Sequence, residues 1–471
     1  MLVENVKYGK IFEFFEEISA VPRGSGKTDK IADYCVNFAK SRNLEYIRDN
    51  SNNVIIFKGG SAGRENEPAV ILQGHTDMVW EKADGVDFDF ENDGLKLHVD
   101  GDMLYAEGTT LGGDDGIAVA MCFAILDDDS ISHLPLEVVL TVDEEIGMLG
   151  VRALDTSVLK GKTLINLDSE QENILWVSCA GGARANIELP VTRIKNNRSA
   201  YKFTFTGFEG GHSGTEIDKG HANASVEAGK YLKELSEKEN ILVSSITGGK
   251  MDNAITREAS FIVCCDNDVS EYAAEFENRI RSAYPNEIKA FVKCEKVSAD
   301  YSFDISSTQN VITLFDGLPY GVTAMSKEID GLVQTSLNPG VLYTENDKVV
   351  LGYSCRSSVN AEKEELLSLL EKRAKSVGAS INFYGCYSAW EYRKQSPLRD
   401  TMTRVYRELY GKELNVTAVH AGLECGIFCE KIPGLDCVSL GPDIFDIHTP
   451  KERLSISSTE RIYEFVIQTL K

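Results

Sequence analysis

Five stretches of the chain carry histidine or carboxylate side chains of the kinds that ligate metals or transfer protons. In chain order they contain His75 with Asp77, Asp114 with Asp115, Glu144 with Glu145, Asp168, and His448. Two imidazoles and several carboxylates are the donors that a pair of divalent cations about 3.5–4 Å apart requires. A further carboxylate beside such a pair could serve as a general base. The residue types therefore indicate metal-assisted hydrolysis, provided that the fold gathers these stretches at one place.

Each stretch taken singly also has a purely structural interpretation. Asp114-Asp115-Gly116 could cap a helix that begins near residue 117. Glu144-Glu145 could complement the dipole at an exposed helix start. Asp168-Ser169 could close a strand with an Asx-turn, and His75 alone could be a buried structural histidine. The joint pattern favours chemistry, because independent surface acids would not all follow separate strand-like runs.

The elements needed to position these side chains are visible in the apolar pattern. Strand-like runs cover residues 54–57, 69–72, 136–141 and 163–167, and helical spacing covers residues 11–18, 31–39 and 117–126. This alternation predicts a mainly parallel sheet covered by helices. The carboxyl ends of such strands form one edge of the sheet, where open α/β sheets place their chemistry. Most of the acidic stretches follow those ends.

Length and composition narrow the class of protein. The chain has 471 residues, which predicts two or three domains. Its net charge of −24 argues against nucleic acid or an anionic membrane as a partner. We find no signal-peptide pattern at the N-terminus and no apolar run of 18 residues. The eleven cysteines show no CxxC pair, which is typical of reduced cysteines in a cytoplasmic protein.

The pattern changes near Gly181-Gly182 and changes back after Ser396-Pro397. Between these points alternating strands, such as residues 201–206, frame charged helices, and a second unit of strands and helices follows over about 305–385. We therefore predict an α/β fold whose catalytic domain is split between residues 1–182 and 396–471. An α+β lid of two similar halves is inserted over residues 183–395.

Longer motifs resemble one enzyme family. They are QGHTDMV at 73–79, GTTLGGDDG at 108–116, DEEIGM at 143–148, NLDSE at 166–170, GGHSG at 210–214, AGLECG at 421–426 and IHTP at 447–450. In this order, over essentially the whole chain, they resemble the M20 metallopeptidases, in the aminoacyl-histidine (Xaa-His) dipeptidase branch. The resemblance implies a zinc-peptidase-like catalytic domain with a mixed, mainly parallel sheet. It also implies hydrolysis of dipeptides.

The resemblance further implies a role for each matched position. Asp114 would bridge two metal ions. His75 and Asp168 would complete one metal site, and Glu145 and His448 would complete the other. Zinc is the expected metal, with manganese or cobalt as alternatives.

Three further residues are implied to be catalytic. Glu144 would be the general base that activates a metal-bridging water, and Asp77 would orient the imidazole of His75. His212 would stabilise the oxyanion from the lid. The Asp114–Asp115 peptide bond would be cis.

Three residues are expected to bind substrate: Asn253, Arg356 and Glu424. Arg356 could clamp the substrate carboxylate in bidentate fashion, although a surface ion pair is an alternative interpretation. Glu424 could bind the substrate amino group. The chain also departs from the family pattern near the bridging aspartate, where alanine usually replaces Gly113 and asparagine often replaces Asp115. The extra carboxylate at 115 could lie at the surface or behind the ligands.

Two other functions remain open. The same fold and metals could serve a tripeptidase or an N-acyl amino acid deacylase. An inactive binding protein on the same scaffold would lack a ligand or the base, and the chain retains all of them. A small peptide is the expected partner, a homodimer is possible, and turnover should depend on hinges near Gly181-Gly182 and Ser396-Pro397.

Overall fold

The computed structural model describes Val3 and residues 6–471 and forms two compact units. The first unit contains the described residues up to 178, together with 392–418 and 423–471. The second unit contains residues 179–391 and the short segment 419–422. The sequence did not indicate that this short segment joins the second unit. The assignment of 1–182 with 396–471 as catalytic, and of 183–395 as a lid, stays a prediction.

The N-terminal part of the first unit alternates helices and strands. Its elements are α1 (Gly9–Ser19), α2 (Asp29–Ser41), β1 (Glu45–Arg48), β2 (Val54–Lys58), β3 (Val70–His75), β4 (Leu97–Asp100), β5 (Met103–Ala106), α3 (Gly113–Asp127), β6 (Leu136–Thr141), α4 (Leu149–Ala153), β7 (Thr163–Asn166) and β8 (Ile174–Cys179).

The middle of the chain forms the second unit. Its elements are β9 (Gly181–Pro190), β10 (Arg193–Lys195), β11 (Ser199–Thr206), β12 (Gly211–His212), α5 (Ala224–Lys238), β13 (Leu242–Thr247), β14 (Ala254–Ile255), β15 (Ala259–Cys265), α6 (Tyr272–Ala283), β16 (Phe291–Val297), β17 (Tyr301–Phe303), α7 (Ile305–Phe315), β18 (Gly321–Met325), β19 (Val333–Glu345), β20 (Lys348–Ser357), α8 (Asn360–Ser376) and β21 (Ser380–Tyr387).

The C-terminal part returns to the first unit. Its elements are α9 (Pro397–Tyr410), β22 (Asn415–Val419), α10 (Glu424–Lys431), β23 (Asp436–Ser439), β24 (Ile444–Phe445), β25 (Arg453–Ser455) and α11 (Ile456–Thr469).

The first unit is built on an eight-stranded mixed sheet with the order β1-β2-β6-β3-β7-β23-β8-β22. The four central strands β6, β3, β7 and β23 are parallel to one another. β1, β2 and β8 pair in antiparallel fashion at the two sides. The predicted α/β fold with a mixed sheet is therefore confirmed, and its parallel part is the centre. Every residue of β3 and β6 is buried, which explains why these strands read as continuous apolar runs.

Helix α3 lies in the core of the first unit. From Gly113 to Leu126 every residue is buried, as expected for a helix that is apolar on all sides. The element starts at Gly113, but Asp114 and Asp115 have non-helical backbone angles, so regular helical geometry begins at Gly116, close to the predicted start near residue 117. Its N-cap is Gly112, which makes no side-chain cap.

The second unit contains two larger antiparallel sheets. One has the strand order β13-β15-β11-β16 and the other has the order β18-β19-β20-β9-β21. Side chains from both sheets, such as Phe203, Phe261, Leu351 and Tyr353, belong to one hydrophobic core. The two predicted halves of the insertion therefore fold as one body. Across the described residues, we find no helix with the length and apolar character needed to cross a membrane.

Candidate metal centre and active site

Three neighbouring parallel strands deliver candidate residues to one edge of the sheet of the first unit. β3 ends at His75, which lies opposite Thr141 at the end of β6. Glu144 and Glu145 follow β6 after a short turn. Asp168 follows β7, whose last residue, Asn166, pairs with Gln73 of β3. The common edge explains why stretches far apart in sequence meet.

Two groups of donor atoms form there. One contains His75, Asp114 and Asp168, and the other contains Asp114, Glu145 and His448. Within each group the candidate ligand atoms lie within 4.8 Å of one another. The structure thus brings together all five residues predicted to ligate metals.

Asp114 belongs to both groups through different oxygen atoms. Its Oδ1 lies 3.0 Å from Nε2 of His75, and its Oδ2 lies 3.2 Å from Nε2 of His448. Asp168 Oδ1 lies 3.6 Å from the same His75 nitrogen, and Glu145 Oε1 lies 2.9 Å from His448 Nε2. A carboxylate shared in this way is the arrangement that a two-metal site requires.

The electrostatics of this edge are those of a strongly anionic pocket. Burial alone would lower the pKa of His75, but the carboxylates of Asp168 and Asp114 outweigh it and raise that pKa well above its usual range. Hydrogen bonds to Asp114 and Glu145 raise the pKa of His448 to about 10. Burial and nearby carboxylates raise the pKa of Asp168. An anionic set of oxygen and imidazole donors, centred on the buried side chains of His75 and Asp114, fits divalent cations.

Asp77 connects a candidate ligand to the candidate base. The side chain is fully buried, and its Oδ1 lies 3.4 Å from Nδ1 of His75. The same His75 nitrogen lies 3.0 Å from the backbone oxygen of Asp77. The Asp77 carboxylate also accepts hydrogen bonds from the backbone N–H of Glu144 at 3.1 Å and from Ser25 Oγ at 2.7 Å. Asp77 therefore holds both the His75 ring and the Glu144 backbone.

Glu144 has the surroundings of a proton acceptor. Burial raises its pKa well above the ordinary value, and the carboxylates of Asp168, Glu424 and Glu145 add to the effect. A carboxylate whose pKa is raised in this way can hold a proton near neutral pH, as a general base must after it has accepted one.

Glu424 is fully buried at the start of α10. Its Oε2 accepts hydrogen bonds from Gln73 Nε2 at 2.6 Å and from Thr141 Oγ1 at 2.7 Å. Its Oε1 has no hydrogen-bond partner among the described residues. Burial raises the pKa of Glu424 to about 8. The structure thus places this residue behind the ends of β3 and β6.

In the second unit, His212 lies on β12 opposite Ala254 of β14. Its Nδ1 accepts hydrogen bonds from the backbone N–H groups of Gly214 and Thr215, both at 3.2 Å. Burial and the Arg356 guanidinium lower its pKa. Because Nδ1 accepts these hydrogen bonds, the ring proton is placed on Nε2, where it can be donated.

Arg356 and Asn253 both lie in the second unit. Arg356 is on β20 directly opposite Ser336 of β19. The backbone oxygen of Asn253 accepts a hydrogen bond from the backbone N–H of Ser213, the residue after His212, at 2.8 Å. The Ser336 hydroxyl lies 2.7 Å from Nε2 of His420. His212, Arg356 and Asn253 thus belong to one unit, and the five candidate metal ligands belong to the other.

The structure settles two points about the segment at Asp114 and Asp115. The Asp114–Asp115 peptide bond is cis, as the resemblance implied. Asp115 is buried, and its Oδ2 accepts a hydrogen bond from the backbone N–H of His75 at 3.1 Å. The surface position considered for this carboxylate is wrong, and so is its role as a cap of α3.

Several residues of the site escaped the sequence analysis. Arg23 and Glu452 bind the backbone beside candidate ligands. Burial raises the pKa of Glu170 to about 7, and His420 is a buried histidine whose pKa is lowered. Glu452 follows His448 by four residues, and Arg23 follows Pro22 in an otherwise ordinary turn. Neither position has a local signal that would distinguish it from a surface charge.

Comparisons with known proteins agree with this geometry. The model of peptidase family M20/M25/M40 matches residues 71–471. The cytosol non-specific dipeptidase of Escherichia coli (strain K12) is 33% identical over 469 residues, which is 98% of this chain and 97% of that protein. The crystal structure of aminoacylhistidine dipeptidase from Vibrio alginolyticus superposes with a TM-score of 0.93 at 34% identity. That match covers 99% of this chain and 98% of the other.

A more distant structure shares the fold alone. Aminopeptidase PepT from Bacillus cereus ATCC 10987 has a TM-score of 0.59 at 15% identity, covering 99% of this chain and 98% of the other. The family model covers far more than half of the sequence. The chain therefore belongs to peptidase family M20/M25/M40.

Proposed function

We propose that this protein hydrolyses dipeptides with a pair of divalent metal ions, which we expect to be zinc. Asp114 carries the proposal, because its two carboxylate oxygens face two different imidazoles. His75 and Asp168 would complete one metal site, and Glu145 and His448 the other. When bound, the metal ions would polarise the scissile carbonyl and lower the pKa of a water molecule towards neutrality.

The residues of the first unit would handle the proton. Glu144 would accept a proton from the attacking water and pass it to the leaving amine. Asp77 would keep Glu144 in place through its backbone N–H and keep the His75 ring oriented. Glu424, whose Oε1 lacks a protein partner among the described residues, is the candidate for the substrate amino group.

The residues of the second unit would recognise the substrate. A neutral His212 can donate from Nε2 to a developing oxyanion. Arg356 would bind the C-terminal carboxylate, since a guanidinium binds a carboxylate in bidentate fashion, and Asn253 would assist. We propose that this unit, over about residues 183–395, is a lid that moves on hinges near Gly181-Gly182 and Ser396-Pro397.

The substrate class rests on two relatives at about one-third identity, both named as dipeptidases. One of them is named as cytosolic, and we propose the cytoplasm as the location of this protein as well. The preferred residues at each end of the dipeptide, the physiological metal and a homodimer are matters for experiment.

The decisive experiment is a substrate panel. Purified protein is tested on dipeptides, including Xaa-His dipeptides, on tripeptides and on N-acyl amino acids. Each assay is run untreated, after chelation, and after chelation with added zinc or manganese. We expect dipeptide hydrolysis that chelation abolishes and metal restores. Preferential cleavage of tripeptides or N-acyl amino acids would replace the proposed substrate, and activity untouched by chelation would overturn the proposed mechanism.

A further inference from the structure

We propose that Glu452 and Arg23 are positioning residues, which clamp the backbone of the loop that presents Asp114 and thereby set the affinity of the metal centre. This inference rests on the proposed function, because it assumes that Asp114 bridges the metals. Neither side chain is among the donor atoms of the two candidate groups. Both would act through the backbone.

Glu452 binds a series of consecutive amides. Its Oε2 accepts from Leu111 N at 2.9 Å and Gly112 N at 3.0 Å. Its Oε1 accepts from Gly113 N at 2.8 Å and Asp114 N at 3.3 Å. The side chain is 2% exposed. Charge-assisted hydrogen bonds in a buried environment are strong, so this carboxylate fixes the path of the chain up to Asp114 itself.

Arg23 holds the same loop from the other side. Its guanidinium donates to Gly112 O at 2.5 Å through one nitrogen and to Thr76 O at 3.1 Å and Asp77 O at 3.3 Å through another. Arg23 is 1% exposed. A buried guanidinium requires hydrogen bonds and opposite charge nearby, and Glu452 and Asp77 are among the carboxylates that stabilise its charge.

The Gly112 peptide is the point where the two side chains meet. Its N–H is bound by Glu452 and its C=O by Arg23. Arg23 thereby joins the Asp114 loop to the turn that follows His75. Glu452 joins the same loop to the turn that follows His448, since its own N–H donates to Thr449 O at 3.1 Å. The three segments that supply both imidazoles and the shared carboxylate are thus connected by these two ions.

The chain offers a matched control for Glu452. Glu137 is also buried, at 4% exposure, and its carboxylate also accepts from successive backbone amides, those of Lys160 at 2.8 and 3.1 Å and Gly161 at 3.0 Å. It lies near the start of β6, at the opposite end of that strand from Thr141. Loss of its charge removes the same kind of interaction without touching the loops of the candidate site.

The experiment compares Glu452→Gln with Glu137→Gln. Glutamine replaces one carboxylate oxygen by an NH2 group, which cannot accept a hydrogen bond from a backbone N–H. About half of the hydrogen bonds from backbone amides to the side chain are therefore lost at either position. Binding of Zn²⁺ to chelated protein is measured by equilibrium dialysis, and the visible absorption of Co²⁺-loaded protein reports ligand geometry. We expect E452Q to bind metal about 10–100-fold more weakly than wild type, with an altered Co²⁺ spectrum. We expect E137Q to lose thermal stability and to retain wild-type affinity.

Three outcomes overturn the inference while leaving the proposed function intact: E452Q with wild-type affinity and spectrum, E452Q and E137Q equally weakened, or Arg23→Lys with wild-type affinity. R23K keeps the positive charge but loses the fork that reaches two loops, and it serves as the test if E452Q does not fold. Failure of the wild-type protein to bind metal would instead overturn the proposed function itself.

Discussion

Glu144 is the residue on which the proposed chemistry depends most directly. Its carboxylate lies in a buried, anionic environment that raises its pKa, and its backbone is held by Asp77. Glu144→Gln keeps the shape of the side chain and removes its ability to accept a proton. We expect dipeptide hydrolysis to fall about 10²–10⁴-fold, while the metal content, measured by mass spectrometry, stays at the wild-type value.

The neighbouring Asp143 provides the control for that substitution. Its carboxylate accepts a hydrogen bond from the backbone N–H of Gly26 at 2.6 Å. Asp143→Asn should therefore leave most of the activity in place. Near-normal hydrolysis by the Glu144→Gln variant would contradict the assignment of the base.

His420 should make folding sensitive to acid. Burial and the nearby Arg356 guanidinium lower its pKa to about 3, whereas an unfolded histidine titrates near pH 6.5. Below about pH 6.5 the His420 imidazole is protonated in the unfolded chain but stays neutral in the folded chain. Protonation therefore stabilises the unfolded state, and the free energy of unfolding decreases as the pH falls from 7.5. At pH 5.5 the loss from this one group is about 1.4 kcal/mol.

Urea unfolding of wild type and His420→Gln at pH 7.5 and 5.5 measures the effect. The variant should lose less stability between the two pH values than wild type does. His98→Gln is the control, because His98 is an exposed histidine beside Glu107. Equal pH dependence of wild type and His420→Gln would show that the buried imidazole is not a source of acid sensitivity.

The sequence revealed residues that carry chemistry better than residues that support them. His75 and Asp168 are candidate ligands because residues of metal-ligand type there follow strand-like runs. Arg23 and Glu452 were not recognised, because their partners are backbone atoms in segments up to 341 positions away. Main-chain hydrogen bonds of this kind impose no residue type on the partner, so no pattern in the sequence marks them.

At the level of elements, periodicity predicted strands and helices well where burial is one-sided or complete. The expected strands at 54–57 and 136–141 are β2 and β6, and the expected helix at 31–39 lies within α2. The helix expected from residue 117 is the regular part of α3, which is preceded by the non-helical residues Asp114 and Asp115. The position of β9 between β20 and β21 was not foreseen, since long-range strand pairing leaves little local trace.

The loop that enters α3 gives a sharp test at this scale. Gly112 has φ +63°, and a Cβ atom there would collide with the Arg23 guanidinium and Met78. Gly112→Ala should lower the free energy of unfolding by about 1–3 kcal/mol or more from backbone strain alone, and it should weaken metal binding. Gly113→Ala is the matched control, because an added Cβ would have no contact shorter than 3.3 Å. Chemical denaturation measures the free energy of unfolding of both variants. Equal losses of stability in Gly112→Ala and Gly113→Ala would contradict this account.

At the scale of the whole molecule, the division into two units separates the candidate metal ligands from the residues proposed to recognise substrate. The first unit gathers its candidate metal donors from segments as distant as residues 75 and 448. The second unit carries His212 and Arg356 on strands around its own core. Each set is therefore fixed by the packing of one unit, and the catalytic cycle proposed above requires both.

Metal removal should destabilise the folded first unit. The proposed ligands lie together only after folding, so the metals bind the native state and stabilise it by about 2.7 kcal/mol when free metal is at 100 times its Kd. Chelated protein should unfold at a lower temperature, and added zinc should restore the Tm. Asp114→Asn should lose this response, because it removes the shared carboxylate, whereas Glu144→Gln should retain it. If the Asp114→Asn variant kept the full zinc-dependent rise in Tm, the stabilising metal would have to bind elsewhere. The reason is that Asp114 is the one residue shared by the two groups of candidate ligands.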